Sequence, residues 1–210
     1  MTIIDYLIVY KSAILKNKEP KNTMQIITRF ILKLFGWTIA GALPPLKKYI
    51  IIVAPHTSNW DLVICLFARF AVGVKINFLA KSQLFVFPLG QLLRALGGTS
   101  VERGKPGNKV DYVVALFREK DELKLGLAPE GTRSQVKRWK EGFYHIAVQA
   151  GIPIVMVGLD YHSKELRINE PFNPSGDIHK DFANIVQFYR TIRGRYAKDI
   201  PDYSARDDEE

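Results

Sequence analysis

The stretch Tyr49-Ile50-Ile51-Ile52-Val53-Ala54-Pro55-His56-Thr57-Ser58-Asn59-Trp60-Asp61 decides how this chain folds. Its first six residues are apolar and mostly β-branched, which suits a strand buried on both faces better than a helix. Pro55 ends the run, and residues 59–72 then carry helical spacing of apolar positions. The same rhythm recurs downstream. Strands are expected at 76–80, 99–102, 123–128 and 154–161, with a hairpin arm at 165–172. Helices are expected at 84–96, at 142–150, at 178–193, and after Asn108, where Val110, Val113, Val114 and Phe117 fall on one face. Alternating strands and helices mean an α/β fold, a mainly parallel central sheet with helices on both faces.

Ahead of this pattern the chain reads differently. Residues 1–46 hold Lys11, Lys16, Lys18, Lys21, Arg29 and Lys33 against Asp5 and Glu19 alone, and Lys47 and Lys48 follow. Ile27, Phe30, Ile31, Leu34 and Phe35 recur at helical spacing, while Arg29 and Lys33 share another face, so this N-terminal segment is an amphipathic helix. Such a helix either packs on its own domain or lies in a bilayer interface, and its basic residues and Trp37 tip the reading to the membrane. The longest uncharged run there is 13 residues with two prolines, short of the roughly 20 apolar residues that a spanning helix needs. The expected organisation is a membrane-associating segment at 1–46, a main domain at 47–204 and an acidic tail at 205–210.

Composition sets the outer bounds. At 210 residues and 23.9 kDa, with 47 % hydrophobic and 24 % charged residues, the chain suits one globular domain with a short appendage. Disorder and a polytopic membrane protein are excluded on those values. Cys65 is alone, so it forms no internal disulfide, and no Cys/His cluster has metal-ligand spacing; no metal is expected. A net charge of +9 and a pI near 9.6 imply attraction to polyanions, of which anionic membrane is the expected partner. No nucleic-acid motif or aromatic-interleaved basic strand is present, so no nucleic-acid partner is expected.

Four blocks interrupt the strand-helix pattern, and the first three are polar and lie at strand ends, where open α/β sheets bind ligands. In Pro55-His56-Thr57-Ser58-Asn59-Trp60-Asp61, the aspartate can hold one imidazole nitrogen and leave the other to take a proton. Ser58 and Asp61 equally have the spacing of a helix-capping box, a purely structural role. Gly97-Gly98-Thr99-Ser100-Val101-Glu102-Arg103 offers a planar guanidinium beside glycines, and Ala128-Pro129-Glu130-Gly131-Thr132-Arg133-Ser134 packs acid, arginine and hydroxyls into one loop. Gly151-Ile152-Pro153-Ile154-Val155-Met156-Val157 reads on physics alone as a core strand. Lys137, Arg138 and Lys140 either meet donor phosphates or form a solvated charge run.

Taken in order, His-Thr-Ser-x-x-Asp, Gly-Gly-x-x-x-x-Arg, Pro-Glu-Gly-Thr-Arg-Ser and Ile-Pro-Ile-Val resemble the four motifs of the glycerolipid acyltransferase family, over about half of the chain. The resemblance implies that His56 is a general base and Asp61 its orienting partner. It places Arg103 at an acceptor phosphate and Glu130, Gly131, Thr132 and Arg133 in the acceptor site, with residues 152–157 supporting the site or lining an acyl channel. It further implies an acyl-CoA or acyl-carrier-protein donor as co-substrate, no cofactor, a lysophospholipid acceptor, and work at the cytosolic face of a membrane. The implied reaction esterifies a lysophospholipid, foremost 1-acylglycerol-3-phosphate. A thioester needs no covalent enzyme intermediate; the hydroxyl needs a base, and the oxyanion needs donors, for which the Thr57 and Ser58 amides are candidates. Pro55, Ala128 and Met156 depart from the family pattern, which keeps another lyso-lipid, such as lyso-ornithine, as the alternative acceptor. A non-catalytic basic binder is the alternative of another class, although it has no need of a His/Asp pair.

Overall fold

The computed structural model describes residues 20–101 and 109–203. Among them seven strands, β1 (Thr38–Ala40), β2 (Lys48–Ala54), β3 (Asn77–Lys81), β4 (Gly98–Val101), β5 (Leu123–Leu127), β6 (Ile154–Asp160) and β7 (Glu165–Ile168), form one sheet in the order β1-β7-β6-β2-β5-β3-β4. The five from β6 to β4 are parallel neighbours. At one edge β7 turns back antiparallel to β6 and β1 joins it. The accompanying α-helices are α1 (Thr23–Leu34), α2 (Trp60–Val72), α3 (Leu89–Ala95), α4 (Lys109–Glu119), α5 (Gly142–Ala150) and α6 (Ile178–Tyr189).

Strand β2 shows why both faces must be covered. Ile50, Ile52 and Ala54 point into a cluster with Phe117 of α4, Phe143 of α5 and Phe182 and Ile185 of α6. Tyr49 and Ile51 point the other way, to Leu32 of α1 and Ile64, Ala68 and Ala71 of α2. A central parallel strand has no solvent face, which is why its sequence is a continuous apolar run.

Three local expectations change. Thr38–Ala40, ahead of the boundary drawn at 46, pairs with Glu165, Leu166 and Arg167; three residues are too few to display a strand period. The helix expected over 84–96 is broken: a 3₁₀ turn at Ser82–Leu84 precedes Pro88, and α3 starts only at Leu89, because proline lacks the N–H that a continuous helix would use. The last helix stops at Tyr189 rather than 193, and the chain from there to 203 runs without regular structure over the sheet's edge.

Helix α1 is capped by Asn22, whose side chain accepts the Gln25 amide at 2.9 Å. On its packed side Gln25, Thr28 and Leu32 are buried, and Arg29 Nε donates to the Ala71 carbonyl at 3.0 Å. The apolar stripe therefore faces outward, with Phe30 65 %, Leu34 70 % and Phe35 66 % exposed and Ile26 and Ile27 beside them. Residues 1–19, which include the first apolar segment, and the tail at 205–210 lie outside the described residues.

Candidate active site

Parallel strands bring their C-terminal ends to one edge, so the loops after the neighbours β6, β2 and β5 meet there. His56 and Asp61 follow β2, Glu130 to Arg133 follow β5, and Tyr161 follows β6. His56 Nδ1 and Asp61 Oδ2 are 2.8 Å apart. The Thr57 and Ser58 amides donate to the same Oδ2, each at 2.8 Å, and Tyr161 Oη donates to Oδ1 at 2.7 Å. Burial works to raise the Asp61 carboxyl, but the bonds from His56, Tyr161, Ser58 and Thr57 outweigh it and hold the group below the usual carboxylate range. Asp61 is therefore an anion that fixes the imidazole's tautomer. The His56 side chain keeps 30 % of its exposure, so its other face remains reachable.

The two readings of this motif coincide. Asp61 accepts the Ser58 amide while Ser58 Oγ accepts the Trp60 amide at 3.2 Å, which is capping of the α2 start. The same carboxylate also orients His56. One expectation falls: the Thr57 and Ser58 amides are committed to Asp61 and do not point at a reacting carbonyl as oxyanion donors.

In the second loop Glu130 is buried, and its Oε1 accepts the His56 amide at 2.8 Å and pairs with Lys198 Nζ at 3.2 Å. Its Oε2 is buried without a partner among the described residues. Burial pushes this carboxyl above its ordinary range, against the pull of the His56 amide and Lys198. Gly131 has φ +66°, and a Cβ there would sit 3.0 Å from the Lys140 side chain, so the turn needs glycine. Thr132 is exposed, with Oγ1 facing the Ser134 amide at 3.3 Å. Arg133 is exposed and donates to Asn59 Oδ1 at 2.5 Å, which sets its guanidinium at the start of α2. Arg103 lies outside the described residues. Lys137 and Lys140 are exposed, and Arg138 stands over the Tyr203 ring at 5.4 Å.

Beneath α2 a cavity of about 570 Å³ opens beside the His56/Asp61 pair. His56, Asn59, Asp61 and Arg69 are its polar lining residues, and Ile51, Val53, Leu62, Leu66, Phe78, Leu79 and Leu127 make its wall largely apolar. Of residues 152–157 only Val157 lines it; Ile152, Ile154, Val155 and Met156 are core. A volume of this size falls among small-ligand sites, about 300–1,000 Å³.

Two residues at the site carried no recognisable sequence signal. Tyr161 reaches Asp61 across 100 positions, and Trp37 stacks edge-on against it at 5.0 Å. Lys198 sits in a segment with no periodic pattern.

The family model described as Acyltransferase matches residues 38–160. The chain is 28 % identical over 129 residues to a 1-acyl-sn-glycerol-3-phosphate acyltransferase of Escherichia coli, covering 59 % of this chain and 51 % of that protein. It is 36 % identical over 141 residues to a protein of the same name from Cocos nucifera, covering 59 % and 46 %. The chain spans about half the length of the curated relatives it matches. Among solved structures, the 1-acyl-sn-glycerophosphate acyltransferase PlsC of Thermotoga maritima superposes with a TM-score of 0.57 at 15 % identity, over 90 % of this chain and 89 % of that one, which establishes a shared fold.

Proposed function

The chain belongs to the acyltransferase family, and from that premise we propose that it moves a fatty acyl group from an acyl thioester to the free hydroxyl of a lysophospholipid, with 1-acylglycerol-3-phosphate as acceptor. The observation that carries the reading is the His56–Asp61 pair at 2.8 Å, beside the mouth of a largely apolar cavity. The acceptor oxygen attacks the thioester carbonyl carbon while His56 Nε2 takes its proton. Asp61 stabilises the resulting imidazolium. The tetrahedral intermediate then expels the thiolate, which recovers the proton from His56. The C–O bond formed replaces the C–S bond broken, and no cofactor is called for: acyl-CoA or acyl-carrier protein enters as co-substrate. The cavity takes an acyl chain, and Arg133 with Arg103 meets the acceptor phosphate, for which a guanidinium fork is suited.

The same reading places the protein on a membrane surface. Helix α1 packs Gln25, Thr28 and Arg29 on its own domain and turns Ile27, Phe30, Leu34 and Phe35 outward, an arrangement that water penalises and a bilayer interface accepts. Among the described residues no helix is long and apolar enough to cross a membrane. Purified protein tests the function: thioester and a panel of lyso-lipids are supplied, and ester product is measured for the native chain and for His56→Ala. Loss of a positioned base costs about 10²–10⁴ in rate. Near-native turnover by folded His56→Ala removes the mechanism. Pro55 and Ala128 give the second reading its footing, and in the same panel preference for an aminolipid acceptor without phosphate replaces lysophosphatidate with that lipid.

A further inference from the structure

The chain beyond α6 crosses back over the site. The Arg193 carbonyl accepts the Tyr161 amide at 2.8 Å, and the Arg195 amide donates to Thr57 Oγ1 at 3.0 Å. A Cβ on Gly194 would lie 2.7 Å from Thr57 Cγ2, so backbone lies directly against the loop after β2. Gln135 and Asp199 exchange two hydrogen bonds, at 3.0 and 3.1 Å, which fastens the segment to the loop after β5 as well.

At the centre of this strap is Lys198. Its side chain is 3 % exposed, and its ammonium has three oxygens around it: Glu130 Oε1 at 3.2 Å, the His56 carbonyl at 3.0 Å and the Thr132 carbonyl at 3.0 Å. An ammonium has three N–H donors, and each finds an acceptor. Glu130 Oε1 in turn holds the His56 amide. One buried ion pair therefore grips both backbone polar groups of His56, its N–H through the carboxylate and its C=O through the ammonium. It also joins the loop after β2 to the loop after β5. Lys198 lies outside residues 38–160, the part of the chain that the family model matches.

We propose that residues 193–199 are part of the catalytic apparatus and that Lys198 is a positioning residue, which clamps the His56 backbone through Glu130. This rests on the reading of His56 as the base. The lysine touches neither substrate nor imidazole; it opposes the burial that pushes the Glu130 carboxyl up and so helps to keep the acceptor for the His56 amide. Without the ammonium the carboxyl takes up a proton at higher pH, loosens its hold on that amide and lets the imidazole drift. A displacement of about 1 Å in a reacting group costs about a hundredfold.

The test uses Lys198→Met in the full chain, with two readouts. The His56 amide resonance, followed by NMR against pH, reports the ionisation of the carboxylate it donates to. Its midpoint should rise by about 1–3 pH units once the nearby opposite charge is gone. In the acyl-transfer assay kcat should fall about ten- to a hundredfold, its acid limb should move up with that midpoint, and KM for both substrates should stay. Lys198→Arg should restore the native midpoint but only part of kcat, since a planar guanidinium does not fit a cage made for an ammonium. Should Lys198→Met not fold, Lys198→Gln retains donors for the two carbonyls without the charge, and the same rise in midpoint is expected. A folded neutral variant with native midpoint and native kcat overturns the proposal, and so does a loss of kcat that follows the folded fraction with the midpoint unmoved. If the native chain transfers no acyl group to any acceptor, the function fails, while the midpoint still decides the clamp.

Discussion

Replacing Asp61 by asparagine removes a charge with almost no change of shape, and the structure says how the new amide must sit. Asp61 Oδ2 accepts three N–H groups, from His56 Nδ1 and the Thr57 and Ser58 amides, whereas Oδ1 receives the Tyr161 hydroxyl. In Asp61→Asn an NH₂ turned toward the three donors would oppose all of them. The carboxamide oxygen must take the Oδ2 position, and the NH₂ must face Tyr161 Oη, which can accept. The imidazole thus keeps its proton on Nδ1, and the tautomer needed for base catalysis survives. What is lost is the charge that stabilises the imidazolium. Removing a charge in contact with the imidazolium costs about 1.4–4 kcal/mol. The expected fall in kcat for Asp61→Asn is therefore about ten- to a thousandfold, measured as ester formation under saturating thioester and acceptor. Stability should drop by about 1 kcal/mol, the difference between charged and neutral hydrogen bonds. The carboxyl's folded value lies below its ordinary 3.8, so its contribution to stability is present above that value and lost as pH falls through the lowered one. Asp61→Asn should flatten this acid slope of the stability curve. A fall of about 10⁴ or more with a native fold would mean that the tautomer was lost, and an undiminished kcat would mean that the charge is idle; either result refutes the reasoning.

Serine at Phe30 and Leu34, both on the outward face of α1, should reduce co-sedimentation with anionic liposomes while leaving Tm unchanged, and added salt should weaken what binding remains; undiminished binding would show that this helix is not the anchor. Arg133→Ala and Arg103→Ala should each raise acceptor KM for lysophosphatidate about ten- to a hundredfold, the value of a lost charged hydrogen bond, with Arg→Lys recovering part; a flat KM would sink the phosphate assignment. Cys65 lines the cavity, so Cys65→Phe should shift preference toward shorter acyl thioesters in a chain-length panel, and an unchanged profile would place the chain elsewhere.

What the sequence could disclose follows from the range of the forces involved. Buried parallel strands announce themselves because every position is apolar, so β2, β5 and β6 were legible to within a residue or two. His56 and Asp61 were legible through the order of the four motifs; five positions across a turn allow the two to meet but fit a helix cap as well. β1 was hidden, since three residues show no period, and the direction of α1 was hidden for a deeper reason. Spacing shows that a helix has two faces; it does not show that Gln25, Thr28 and Arg29 would be the ones packed, because that depends on the Ala71 carbonyl and the α2 surface. Tyr161 and Lys198 reach the site from 100 and 142 positions away from their partners. Contacts at such separations leave no trace in local pattern.

Asp61 also shows why the structural and catalytic readings of the first motif were never true rivals. A carboxylate at the start of α2 satisfies backbone amides that water would otherwise have to serve. Those amides keep it ionised in spite of burial, and an ionised, immobile carboxylate is what an imidazole that gains charge in the transition state requires. The helix cap is the means by which the charge is held in place before substrate arrives. In the proposed mechanism, capping and catalysis therefore share one set of hydrogen bonds. Asp61→Ala, which deletes all of them, should lower Tm and kcat together, whereas Tyr161→Phe, which spares Oδ2, should leave the cap intact and act on the imidazole's partner alone.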